Sequence, residues 1–206
     1  MAGVSIEAVE PVIVQGIDFS RWPSWDAYLH DVSSNARRNA KRALKNFPAL
    51  GVGTRHGVST LRDITSLIRL YRSVSRRKRL DTSILRIVAS LFARMTVLRR
   101  HATSATVGVE GQILSAYFEV QFGRNVYYLN GGSEADNGGA AWHLLLIMIR
   151  RAFEHSSGKG KFLMGVINDD ASPAWANLAR SRAQCRVSEF PTSLVTFRYD
   201  PQTINA

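Results

Sequence analysis

The sequence predicts an α/β protein, a mixed central sheet flanked by helices, and three observations predict it. The chain has 206 residues, 45% hydrophobic and 21% charged, so it can bury a sizeable core and carries no tract of disordered composition. Apolar residues recur at helical spacing up to about residue 101 and then alternate at strand spacing. Finally, "YYLNGGSEADNGGAAWHLLLIMIRRAFEHSSGKGKFLMG" reads as strand, glycine-rich loop, buried helix and second strand, an order that sets two strands parallel.

In chain order, a short strand is expected at "PVIVQ". Trp22 to Phe47 reads as one helix entered at Pro23, with Trp25, Leu29, Val32, Ala36 and Leu44 on a shared apolar stripe, ended by Pro48 and Gly51. A second helix starts at Ser59 or Thr60 and runs through "LRDITSLIRLYRSV" into the basic cluster from Arg76 to Arg79; a third, capped by Asp81, covers "SILRIVASLFARMTVLRR". "TSATVGVEG", "QILSAYFEVQFG" and "NVYYLNGG" have strand composition with glycine turns between them, an antiparallel meander. The helix in "GGAAWHLLLIMIRRAFEHSSG" is apolar nearly all round at its start, which places it inside. Strand "KFLMGVI", a short helix "SPAWANLARSR" and two closing strands, "CRVSEF" and "SLVTFRYD", complete the order. A single domain is expected over residues 1–206, with a basic helical layer from 21 to 101 and the sheet, loop and buried helix from 102 to 206.

Cys185 is the one cysteine, so no intrachain disulfide and no CxxC metal site can form; it reads as core filling in a reducing compartment. The first twenty residues hold three acids and no Lys or Arg, unlike a signal peptide, and the longest apolar run, "GAAWHLLLIMI", is too short to span a bilayer. The expectation is a cytoplasmic protein without a membrane span. His30, His56, His101 and His155 lack metal-ligand spacing, so no metal is expected; the expectation is also of no permanently bound cofactor. His143 reads as a core histidine.

The net charge of +11 is unevenly spread: 18 of the 27 Lys and Arg residues lie between 21 and 101, against 4 of the 16 acids. Within "NARRNAKRALKNF" Arg37, Arg38, Lys41, Arg42 and Lys45 fall on a helix with no interleaved acid, so they repel one another and gain no ion pairing. Such a surface suits a plain solvated face, a phosphorylated donor, anionic substrate or acidic carrier protein, or a nucleic acid such as tRNA.

Chemistry concentrates around the glycine loop. Gly138 and Gly139 permit close backbone approach, and the free amides near Gly139 to Trp142 sit at the positive end of the buried helix, an arrangement suited to phosphate. In "ILSAYFEVQF" alternation puts Ser115, Tyr117, Glu119 and Gln121 on one face, unusually polar for mid-protein: either the solvent side of an edge strand or part of a site in which Glu119 is the candidate general base. Asp169 and Asp170 follow the second parallel strand, either at the kind of edge where ligands bind open sheets or as helix caps before "SPAWANL", and Asn168 is placed to hydrogen-bond a ligand at that strand's end.

The order "SWDAYL" to "ARRNAKRALK", then the meander, then "LSAYFEV", "VYYLNGG" and "LLLIMIRRAFEHSSGKGKFLMG" resembles the GNAT superfamily of N-acetyltransferases, and within it the FemAB-like acyltransferase branch, over Trp22 to about Arg182. The resemblance implies an acyl donor, acyl-CoA or an acyl carrier protein as co-substrate, inserted between splayed strands "NVYYLNGG" and "KFLMGVI". Its pyrophosphate would lie on Asn137, Gly138, Gly139, Ala140 and Ala141. A backbone N–H near Asn130 or Gly131 would polarise the thioester carbonyl, and the acceptor would be an amine. A homodimer and an aminoacyl-tRNA donor also belong to what the resemblance implies.

Overall fold

Strand β1, Val4–Asp18, is far longer than the five residues of "PVIVQ", because it finds partners along its whole length. In this computed structural model residues 4–57, 61–78, 84–167 and 173–199 are described. After β1 come α1 (Trp25–Asp31), α2 (Ser34–Asn46), β2 (Gly51–His56), α3 (Leu61–Lys78) and α4 (Ile84–Val97). The meander follows as β3 (Ala102–Val109), β4 (Gln112–Phe122) and β5 (Asn125–Ser133). Then come α5 (Ala140–His155), β6 (Lys161–Ile167), α6 (Pro173–Ala183) and β7 (Ser188–Tyr199). The described strands form one seven-stranded sheet in the order β2-β3-β4-β5-β6-β1-β7, antiparallel except where β5 meets β6. It is the mixed sheet that the strand, loop, helix, strand order demanded.

The structure departs from the sequence reading at four points. The helix expected from Trp22 to Phe47 is two helices: Val32 turns to an extended ψ of 140°, and the Ser33 hydroxyl accepts from the Ala36 amide at 3.1 Å, starting α2 afresh. The restart rotates the stripe, so Ala36, Ala40 and Ala43 are buried while Leu44 is 51% exposed. β2 was not legible, because "GVGTRH" is exposed throughout and shows no alternation; it is an edge strand held by pairing with β3. The closing segment is one strand, β7, running through Pro191, which an edge strand tolerates.

The fourth concerns the basic helices, which do not form one layer. α2 packs with α5 over one face of the sheet, where Ala36, Ala40, Leu144 and Ile149 share a core with Tyr117 and Val126. α3 and α4 cover the opposite face, where Leu67, Leu70 and Leu91 meet Ala116, Phe118 and Val120. Alternation along β4 therefore feeds two cores rather than one core and solvent. The starts at Ser59 or Thr60, Arg79 and the Asp81 cap lie outside the described residues.

Candidate active site

β5 and β6 pair only at Val126 with Phe162 and Tyr127 with Leu163, and beyond that they part. The split follows from β5 itself. Its register against β4 slips from Glu119–Tyr128 to Phe118–Asn130, leaving Leu129 unmatched, and such a bulge bends the strand that carries it. Between the parted strands lies a cleft of about 610 Å3. Asn130, Gly131 and Gly132 line it from β5 and Met164, Gly165 and Val166 from β6; Tyr71 and Arg77 of α3 and Arg182 of α6 close its sides.

Each wall is held in place. The Asn130 side-chain oxygen accepts from Arg94 of α4 at 2.8 Å. Gly131 faces two rings, and a Cβ there would come within 2.5 Å of Tyr117 Cδ1 and would overlap the Tyr128 hydroxyl. A Cβ on Gly132 would stand 2.6 Å from the backbone of Leu70 and Tyr71, so α3 lies directly on β5. Tyr117 and Tyr128 meet edge to face at 5.1 Å, and the Tyr117 hydroxyl donates to the Ala141 carbonyl at 3.0 Å, tying the cleft to the first turn of α5. Burial raises both phenols above their ordinary range, so both keep their protons at neutral pH.

On the other wall, Arg182 donates to the Met164 carbonyl at 2.5 Å, to the Gly165 and Val166 carbonyls at 3.3 and 3.4 Å, and to Gln15 Oε1 at 3.4 Å. It thereby satisfies the end of β6 that β5 has left, and burial lowers its pKa. Arg77 donates to the Ser133 carbonyl at 2.6 Å and stays exposed at the cleft. Sequence reasoning placed Arg77 only in a basic cluster and Tyr117 only on the polar face of β4, and it missed Arg182 and Tyr128. The available signal was a pair of arginines on otherwise small, apolar α6, and aromatic residues flanking "LNGG".

The residues singled out from the sequence distribute as follows. Asn130 and Gly131 are in the cleft. Glu119 is 8% exposed on β4, behind the wall rather than in it, opposite Tyr128 on one side and Thr103 on the other. Its Oε2 is buried without a hydrogen-bond partner, and burial raises the carboxyl to about 8 against the opposing pull of Arg151. The Asn137–Ala141 loop is turned inward. Asn137 Oδ1 accepts from the amides of Gly139 and Ala141 at 3.1 and 3.4 Å, and its carbonyl accepts from Ala140 at 2.7 Å. α2 lies across the loop as well: Asn46 donates to the Gly138 carbonyl at 3.4 Å, and a Cβ on Gly139 would overlap the Asn39 carbonyl. Three of the amides expected to receive pyrophosphate, those of Gly139, Ala140 and Ala141, are thus engaged by Asn137.

Arg37, Arg38, Lys41 and Arg42 sit on α2, and none of the four lines the cleft. Arg38, Lys41 and Arg42 are exposed; Arg37 is half-buried, and its Nε is enclosed without a partner. His143 is partly buried at the start of α5, with its pKa lowered by that burial. Asn168, Asp169 and Asp170 lie outside the described residues. Among the described residues no group of three or more His, Cys, Asp or Glu side chains is gathered to hold a metal, and no helix is long and apolar enough to cross a membrane.

The family model described as an acetyltransferase (GNAT) domain matches residues 34–166, from the start of α2 to the end of the cleft wall on β6. No curated protein matches the sequence. Among solved structures the chain is similar to FemX, at 14% identity and a TM-score of 0.65, over 98% of this chain and 67% of that one. It is also similar to a conserved protein of unknown function from Bacteroides thetaiotaomicron VPI-5482 (11% identity, TM-score 0.62, 91% of this chain and 63% of that one). A third is the C-terminal domain of a protein assigned as a lysylphosphatidylglycerol synthetase from Agrobacterium fabrum (12%, 0.55, 91% and 61%). At these identities the likeness is one of fold, and the chain spans roughly two thirds of each neighbour's length.

Proposed function

The chain belongs to the acetyltransferase (GNAT) domain family and is an acyltransferase, and from that premise we propose that it moves an acyl group from a thioester donor to an amine in the cleft between β5 and β6. The observation that carries this reading is the parting of the two strands after two residue pairs, which frees β5 backbone at Asn130 and Gly131 beside a cleft wide enough for a thioester arm. A backbone N–H there is a donor toward the carbonyl oxygen, where negative charge grows as the amine attacks.

In this reading the amine nitrogen bonds to the carbonyl carbon and the carbon–sulfur bond breaks. Tyr128, which burial keeps protonated, gives its proton to the departing thiolate. It regains one from the ammonium with Glu119 as the reservoir, since Glu119 stands opposite Tyr128 across the β4/β5 pair. Acyl-CoA is the donor we assign, with Arg77 at the cleft to meet its phosphates in place of the inward-turned 137–141 loop.

A second reading has an aminoacyl group as cargo, carried by tRNA. It draws on the name of the Agrobacterium neighbour, which denotes joining lysine to phosphatidylglycerol, and on the exposed cations of α2.

Thermal unfolding with acetyl-CoA and longer acyl-CoAs tests the first reading, on wild type and on Val74→Trp, which fills the cleft from α3. A thioester at ~100 times its dissociation constant stabilises by about 2.7 kcal/mol. The expected outcome is that shift in wild type and none in the variant. If no thioester shifts either protein while tRNA stabilises both, with steep loss on adding salt, the second reading replaces the first.

A further inference from the structure

A second hollow, of about 350 Å3, lies on the other flank of α5, walled by α1, α2 and α5. Leu145 lines the cleft, and the next residue, Leu146, lines this hollow. The composition of α2 leaves room for it: Ala40 lines the hollow where a larger side chain would have filled the gap. We propose that this hollow binds a small amphipathic anion, a single carboxylate or phosphate on an apolar tail, with Arg37 and Lys41 at the head and Leu29, Leu44 and Leu146 along the tail.

Three observations point to that chemistry, and none rests on the acyl-transfer reading. Leu44 is 51% exposed at the hollow, an apolar side chain that a tail would cover. Arg37 lines the hollow, and its enclosed Nε has no hydrogen-bond partner, so no protein acceptor at that atom offsets the guanidinium charge that an anionic head would meet. Among the described residues the charged rim is Arg37 and Lys41 against Asp26, with His30 and His143 beside them, so a cationic head would be repelled. The volume falls within the ~300–1,000 Å3 of small-molecule sites. A bare anion would leave the leucines uncovered, and a neutral lipid would leave Arg37 unpaired.

Isothermal titration of the full chain with decanoate, octyl phosphate and decyltrimethylammonium tests the assignment. Four variants accompany it: Leu44→Glu and Lys41→Glu at the hollow, Val74→Trp in the cleft, and Phe197→Glu, which removes an exposed apolar side chain far along β7. All five proteins should fold, since the changed positions are exposed or border open space. The expected result is saturable binding of at least one anion and none of the cation. Leu44→Glu and Lys41→Glu should each weaken it about tenfold or more, a factor equivalent to about 1.4 kcal/mol, and the other two variants should leave it unchanged. The ratio of the two anion affinities then tells a carboxylate site from a phosphate site. Absence of saturable anion binding, equal binding of the cation, or loss in Val74→Trp or Phe197→Glu instead of Leu44→Glu overturns the proposal.

Discussion

Glu119 is where burial and charge conflict most directly in this protein. Its carboxyl is buried on the α5 side of β4 with one oxygen unpartnered, and desolvation lifts it from its ordinary 4.5 to about 8. A raised folded-state pKa means that the native state holds the proton more tightly than the unfolded chain. The associated stability is therefore full below about 4.5 and is lost as pH rises through about 8. At about 1.4 kcal/mol per pH unit the span amounts to a few kcal/mol. Urea midpoints of wild type should fall between pH 5 and pH 9 by that order relative to those of Glu119→Gln. Parallel curves would mean that the carboxyl ionises freely. The same variant should erase an inflection near pH 8 in the rate if Glu119 serves as the proton reservoir. The residue was legible in the sequence, because alternation isolates it on a polar face of β4. Its enclosure was not, because nothing local says that α5 covers that face while α3 and α4 cover the other. Arg182 was illegible for a similar reason: its partners, Gln15 and Met164 to Val166, are far away in sequence.

Elements were readable where periodicity and burial agree. The meander, α5 and β6 stand where strand composition and the glycine punctuation put them, since each is bounded by turns and fed by apolar residues. Elements whose existence depends on a neighbour were not: among the described strands β2 pairs only with β3, and along most of their length β1 and β7 pair only with each other. The break between α1 and α2 lies between these cases, for Ser33 is a cap signal inside an otherwise continuous helical pattern. Ser33→Ala should remove one capping bond and cost about 1 kcal/mol. Gly139→Ala should cost more. At φ 97° the backbone is one that side chains rarely adopt, and the new methyl would also press on the Asn39 carbonyl of α2. Chemical denaturation of both variants checks the order. If Gly139→Ala is the milder, α2 does not sit on the glycine loop as described, and the loop amides regain their claim on a phosphate.

On the scale of the whole molecule, stability should fall from the middle of the sheet toward one end. β4 is covered on both faces, with Leu114 to Val120 all buried. β6 pairs with β1 only from Ile13 to Asp18, so the first half of β1 and the last half of β7 continue past it as a two-stranded ribbon. Two strands alone are marginal in water. Register places Ile6 opposite Phe197 and Val9 opposite Val195, yet these pairs are open to solvent, with Ile6, Val9 and Phe197 at 62%, 58% and 61% exposure. Cross-strand contact contributes at most about 1 kcal/mol per pair, too little to hold the ribbon against the cost of ordering it. Hydrogen exchange should therefore find the amides from Ile6 to Glu10 and from Leu194 to Phe197 opening by local fraying, orders of magnitude faster than those of β4, which open with the global unfolding. Protection in the ribbon equal to that of β4 would mean that its apolar side is covered in solution. Repeating the exchange at lower protein concentration would then show whether the cover is a second copy of the chain, since only self-association makes protection fall on dilution.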